Sequence, residues 1–313
     1  MKKIIIGVLI LSVTLVGVFS VAASGNKTET IGSKDNISNM NVSDDDKLNK
    51  KIDIEKLNTQ KDNIFNNILN CVDYYDKISG TFETTFIDNS PTIVSYEVNI
   101  PEQISLQIVK GNNIDLKVLS KDNKIIEANN KEKKYIEHKF ISQYNQIKRN
   151  KKTSKINEEV KLEPFYNRNK IDVSKERVRK NSSGEMEFYY RTDLTNASFA
   201  ATSIYPQSIV FGFLSEKDSW AVKNVEKYLN REVMVISGET ADSEYANKLN
   251  VYSYEMRIDI NSGVLLDFKG YDTNDKITHY LTTTKIKIDE NNNDFEGELD
   301  TEISSIKKSY SKK

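Results

Sequence analysis

The sequence predicts an α+β, mainly β fold: one strongly curved antiparallel sheet, with a helix before it and a short helical segment on its concave side. Apolar and polar residues alternate with period two over Val94, Tyr96, Val98 and Ile100, over Ile104, Leu106 and Ile108, and over Tyr252, Tyr254, Met256, Ile258 and Ile260. Tight-turn residues join such runs, as at Lys121-Asp122-Asn123-Lys124 and Ile260-Asn261-Ser262-Gly263. No strand is regularly followed by a crossover helix, so the order does not describe alternating βαβ units.

The chain opens with Met1-Lys2-Lys3 and an uncharged run from Ile4 to Ala23 rich in Ile, Val and Leu. A basic start, an apolar stretch and small residues at its end make an export signal. Val21-Ala22-Ala23 or Ala22-Ala23-Ser24 suits cleavage, while about 20 apolar residues also suffice to span a bilayer uncut. Residues 1–24 are therefore a signal peptide or a retained N-terminal anchor. No Cys follows the apolar run, which excludes lipid attachment at a lipobox. Residues 25–57 read as a flexible linker, rich at first in Asn, Ser, Asp and Lys and without an apolar period.

The folded domain is expected over 58–290. Thr59-Gln60-Lys61-Asp62 has capping-box spacing, and Ile64, Phe65, Ile68, Leu69, Val72 and Tyr75 recur on one helical face. That helix is expected to end near Ile78-Ser79-Gly80. A hairpin meander follows through Ile126. A strongly basic insertion spans about 131–180, and Met186, Phe188 and Tyr190 restart the alternation. Two short helices are expected over Asn196 to Ile204 and from Pro206 to Leu214, with Pro206 in the first turn. Strands return from Trp220 and run to Asp289. Residues 291–313 read as a polar, solvated tail ending in lysines.

Composition narrows the chemistry. Without Lys2 and Lys3 the 45 basic residues become 43 against 46 acidic ones, a net charge near −3, which argues against a nucleic-acid partner. Cys71 is the one cysteine, so no disulfide forms within the chain. His138 and His279 lack metal-ligand spacing, and no nucleophile elbow, phosphate loop or zinc-protease helix is present. A non-enzymatic protein with no cofactor and no metal is the expectation.

Two clusters stand out as candidate sites. Lys148, Arg149, Lys151 and Lys152, with Arg177 and Arg179, are suited to anionic lipid headgroups or wall polymers, or are simply a solvated insertion. Phe199, Ile204, Tyr205, Ile209, Val210, Phe211, Phe213 and Leu214 form a dense apolar group that either fills the core or lines the mouth of a half-open barrel.

Three stretches resemble the superfamily of lipoprotein carriers and periplasmic sigma-factor regulators. Asn70 to Tyr75 with Ile78-Ser79-Gly80-Thr81-Phe82-Glu83 is similar to its opening helix and first strand. Asp218-Ser219-Trp220 with Tyr228 to Gly238 resembles its Arg-containing strand. Met256 to Leu266 resembles its hairpin with Asp and a Ser-Gly turn, Met256 standing where such hairpins often carry Trp. The resemblance covers roughly Leu57 to Asp289, apart from the basic insertion. It implies an unclosed β-barrel with a helical lid. Its expected apolar cavity would be lined by Phe82, Phe199, Ile204, Tyr205, Phe211, Phe213 and Trp220. The implied function is an exported binding protein at the outer face of the cytoplasmic membrane, holding an acyl chain, a lipid or a protein segment. The alternative is an envelope regulatory or structural interaction protein with a membrane-bound partner. A roomy hollow under the helical segment favours the carrier, and a filled core the interaction protein.

Overall fold

The computed structural model describes residues 54–139, 177–180, 182, 184, 186–191, 193, 195–240, 243–290 and 294–313. All of them belong to one unit, 52–313. The export segment, the linker to residue 53 and the insertion over 140–176 lie outside the described residues, together with their boundaries.

Two meanders make the sheet. The first runs through β1 (Lys77–Thr84), β2 (Thr92–Asn99), β3 (Ile104–Gly111), β4 (Asp115–Lys121), β5 (Lys124–Asn129) and β6 (Lys134–Lys139). The second comprises β9 (Trp220–Tyr228), β10 (Arg231–Glu239), β11 (Ser253–Asp259), β12 (Leu265–Tyr271) and β13 (Ile277–Ile288). They join where β1 pairs with β13, Ile78 opposite Ile288 and Thr84 opposite Leu281. With the two-residue β14 (Ser311–Lys312) the order is β14-β6-β5-β4-β3-β2-β1-β13-β12-β11-β10-β9, twelve strands that do not close on themselves. The mainly β, unclosed half-barrel expected from the sequence is thus what forms. Register shifts at Thr81/Phe82, Val235/Ile236, Arg257/Ile258 and Gly270/Tyr271 supply the local bends that curve such a sheet. β7 (Val178–Lys180) and β8 (Met186–Phe188) form a separate ribbon.

The β4–β5 turn has Asp122 and Asn123 at φ 52° and 58°. Both are residues that tolerate the left-handed region, as a two-residue hairpin demands. The turn between β9 and β10 places Leu229 and Asn230 there as well, at 50° and 61°.

Several elements differ from the sequence reading. A first helix, α1 (Ile54–Thr59), occupies the end of the expected linker because Leu57 is buried in the main core. Thr59 closes it, its hydroxyl donating to the Lys56 carbonyl at 2.7 Å, so no capping box forms. The second, α2 (Lys61–Leu69), stops eleven residues before Gly80. Asn70 turns the chain there, its side chain donating to the Asn66 carbonyl at 2.7 Å, and a single 3₁₀ turn over Cys71–Asp73 follows. Ile78 to Gly80 lie in β1. The expected lid is α3 (Ala201–Ile204) and α4 (Gln207–Leu214), with Pro206 immediately before the second rather than inside it. A fifth helix, α5 (Glu244–Lys248), was not expected.

The polar tail is the largest correction. Residues Phe295–Ser309 form α6, and Phe295, Leu299 and Ile306 are buried with Ile303 beside them. Their spacing is helical, yet each is isolated among charges that bond the sheet: Lys117 to Glu302 (2.5 Å), Lys121 to Glu296 and Asp300 (2.9 and 2.7 Å), and Lys307 to Glu137 (3.0 Å).

That helix inverts the reading of β3. Ile104 and Leu106 belong to a second cluster with α6, Leu119 and Ile126. Ser105 and Gln107, the polar members of the alternation, point the other way, where Val94, Val98 and Val109 share the main core with α1 to α4. We call that the inner face, and the one carrying α6 the outer face.

Candidate functional site

The inner face is where the apolar cavity was expected. Phe82, Ile204, Tyr205, Phe211, Phe213 and Trp220 are all 4% exposed or less, and Phe199 packs against them half-buried. They do come together, as the middle of the main core. Phe213 has Tyr254 and Phe268 at 5.0 Å between ring centroids and Tyr245 at 5.9 Å, and Phe65 meets Phe211 at 6.4 Å. These are the distances of aromatic rings packed in contact.

Buried polar groups fix the helical segment from several sides. Gln107 accepts from the Phe199 and Ala200 amides (2.9 and 3.0 Å) and donates to the Asn196 carbonyl, while Ser105 donates to Thr195. The Ile204 carbonyl, at the end of α3, accepts from the Tyr75 hydroxyl (2.7 Å) and the Cys71 thiol (3.0 Å). Ser203 donates to Leu265, Tyr254 to the Phe213 carbonyl (2.6 Å) and the Trp220 indole to the Leu214 carbonyl (3.1 Å). Burial above all, with the Asp73 carboxylate adding to it against the pull of the nearby arginines, pushes the Cys71 thiol and the Tyr205 hydroxyl up from their ordinary values, so both stay protonated. A protonated, hydrogen-bonded Cys71 is a packing residue and no nucleophile.

Two arginines secure α4 to α2. Arg191 forms a two-pronged pair with Asp73, 2.7 Å on each arm, and reaches Asn70 at 3.0 Å. Arg177 donates to the Tyr189 and Leu69 carbonyls, to Asn70 Oδ1 and to Gln207 Oε1. Gln207 also accepts from the Arg191 amide and donates to the Arg191 carbonyl. Arg177 was expected at an anionic surface. It is 4% exposed, because seating its guanidinium in this acceptor set is what anchors the chain after the insertion. Lys148, Arg149, Lys151, Lys152 and the Arg179 side chain lie outside the described residues.

The hairpin motif is also structural. Asp259, fully buried, accepts from the Asn261 and Ser262 amides, from the Ser262 hydroxyl at 2.7 Å and from Arg231 Nε at 2.5 Å. Gly263 takes φ +72°, and a Cβ there would stand 3.0 Å from the Asn67 carbonyl oxygen and 3.1 Å from Cys71 Cβ. Asp, Ser and Gly are needed because this turn sits directly on α2.

His279 packs beside Phe86 with Nε2 3.3 Å from Asn89 Oδ1, and burial lowers its pKa. Among the described residues no three His, Cys, Asp or Glu side chains are grouped to hold a metal, and no helix is long and apolar enough to cross a membrane.

A cavity of about 370 Å³ lies on the outer face. Its floor is the β2-β1-β13 surface, with Lys77, Ser79, Glu97, Asn99, Lys285 and Lys287 around it and Phe295 of α6 at one side. Sequence reasoning missed both this groove and the inner polar set of Asn70, Asp73, Gln107, Arg191 and Gln207. The signal for the latter was weak: Ser105 and Gln107 looked like the solvent side of an amphipathic strand.

Fold and site together define an open antiparallel-sheet domain whose helical lid is built into its own core. No family model and no curated protein matches the chain. Among solved structures, it is similar to MucB in the Pseudomonas aeruginosa MucA/MucB complex, with TM-score 0.37 and 10% identity over 77% of this chain and 60% of that one. It is similar to the lipoprotein LppX of Mycobacterium tuberculosis, with TM-score 0.36 and 9% identity over 76% and 98% of the two chains. A third, described as a lipoprotein-sorting domain of the outer membrane from Vibrio parahaemolyticus, gives TM-score 0.23 and 11% identity over 72% and 91%. This chain spans about 60% of the length of MucB. The resemblance read from the sequence leads to the same group of structures, but likeness at this level carries no functional weight.

Proposed function

We propose that the chain is an exported, non-enzymatic interaction protein of the cell envelope, regulatory or structural, that binds a protein partner rather than carrying a lipid. The observation that carries this reading is the filled inner face. Phe213, Leu214 and Phe268 are buried in one cluster at the lid, and Tyr254, Trp220, Tyr75 and Gln107 bond the lid backbone there, which supports a packed inner face rather than a lipid-holding one. The open feature is instead the groove around Lys77, Glu97 and Lys285 on the outer face, whose alternating charges and amides suit a polar protein segment. Export follows from the apolar segment Ile4 to Ala23.

Native mass spectrometry of the gently extracted protein, with titration of a lipophilic dye, tests this directly. The expected result is no retained lipid and no dye enhancement. Stoichiometric lipid would overturn the reading and restore the carrier. Photo-crosslinkers at Ser79 and Asn99 should give one discrete protein adduct in envelope extracts, and crosslinkers at exposed Asn224 on β9 should not.

A further inference from the structure

Two segments 178 positions apart, at Lys133 and Ser311, meet at one edge of the sheet. β14 runs parallel to β6, Ser311 opposite Lys134 and Lys312 opposite Tyr135. The Ser311 amide donates to the Lys133 carbonyl and the Lys313 amide to the Tyr135 carbonyl, each at 2.9 Å. Tyr310 braces the junction. Its hydroxyl donates to Asn130 at 2.7 Å, and Lys133 Nζ lies 4.7 Å from its ring centroid.

The junction gathers charge that the sequence disperses. Lys131 and Lys133 come from the turn before β6 and Lys134 from its first position, and Lys307, Lys308, Lys312 and Lys313 from the end of α6, β14 and the residue after it; all seven are exposed. Three carboxylates lie among them. Glu132 is 3.4 Å from Lys134, Glu137 is 3.0 Å from Lys307 and 3.9 Å from Lys312, and Asp115 is held by Asn130 opposite Lys110. Seven lysines against three carboxylates make this edge strongly positive in a chain of formal net charge −1.

We infer that this edge docks the domain on the anionic headgroups of a membrane. The lysines rise from a strand edge and a helix end, all exposed, an arrangement suited to diffuse surface charge. Soluble anionic polymers offer similar phosphates, but with the apolar segment Ile4 to Ala23 retained as an anchor the domain stands beside a bilayer, which favours headgroups. The inference goes beyond the proposed function, since partner binding in the groove and membrane contact at this edge fail independently.

The test uses the full chain on phosphatidylglycerol-containing and on phosphatidylcholine vesicles, where the N-terminal segment engages both. Acetylation of individual lysines is followed by peptide mass spectrometry. On anionic vesicles Lys134, Lys308 and Lys313 should react about fivefold more slowly than on neutral ones, the factor matching roughly 1 kcal/mol for each lysine at an anionic surface. Lys223 and Lys227 on β9 should change less than about twofold, and salt of about 0.5 M should erase the difference. The triple variant Lys134→Gln, Lys308→Gln, Lys313→Gln should abolish the slowing at Lys131 and Lys312, whereas Lys223→Gln with Lys227→Gln should leave it intact. Equal slowing at both edges, none at either, or protection by soluble poly(glycerol phosphate) but not by vesicles would each overturn the inference.

Discussion

Replacing Phe213 by alanine separates a filled interior from a lid over a hollow. The ring is 3% exposed, with aromatic neighbours on three elements: Tyr254 of β11, Phe268 of β12 and Tyr245 of α5. Its backbone cannot follow the lost ring, because the Tyr254 hydroxyl holds the Phe213 carbonyl at 2.6 Å. A phenylalanine truncated in a packed core that cannot collapse costs about 3–5 kcal/mol. For a domain of this size that corresponds to a fall in Tm of about 8–15 °C. Urea unfolding followed by the fluorescence of Trp220, the one tryptophan and itself buried beneath α4, reads the change without added labels. A loss below about 1 kcal/mol, with new dye binding in the variant, would refute the filled-core account, because the ring would then have been closing an empty space.

Three further outcomes follow from the same geometry. Asp259→Asn keeps an acceptor for the turn but leaves Arg231 without its carboxylate, and should cost about 2 kcal/mol or more in urea unfolding, against little for Asp275→Asn in an exposed turn. Burial depresses the His279 pKa, so the folded state favours the neutral ring; stability is present above about pH 6.5 and falls as pH drops through the folded value. The urea midpoint should therefore decline between pH 7 and pH 5 in the native chain and decline less in His279→Gln. Leu299→Ala should cost about 2–4 kcal/mol and speed amide exchange over Phe295–Ser309 while leaving β9–β13 protected, since Leu299 is the fully buried centre of the small cluster under α6.

Local pattern was enough for the class of fold. Period-two alternation located β2, β3 and β11, apolar runs the remaining strands from β4 to β5 and from β9 to β13, and turn residues such as Asp122-Asn123 and Ser262-Gly263 marked hairpins, because these signals depend on neighbours a few residues away. The Asp259 motif was legible for the same reason: its acceptors and donors lie within three positions, apart from Arg231. The inner apolar set, expected to line a cavity or fill the core, shares one buried cluster.

Which face each strand turns to the core was decided only in three dimensions. Nothing local distinguishes Ile104 and Leu106, which pack under α6, from Val94 and Val98, which pack under the lid; the difference is that α6 covers one half of the outer face. The same covering helix was illegible because its apolar residues are spaced among charges that have meaning only opposite Lys117, Lys121 and Glu137. The pairing of β1 with β13 joins residues more than 190 positions apart, and it alone makes one sheet of two meanders and creates the outer groove. The expectation of export rests on the first 24 residues alone. That Phe213 meets Phe268 was decided by tertiary packing, because a Phe in an alternating or helical run is equally apolar whether it faces a cavity or another ring.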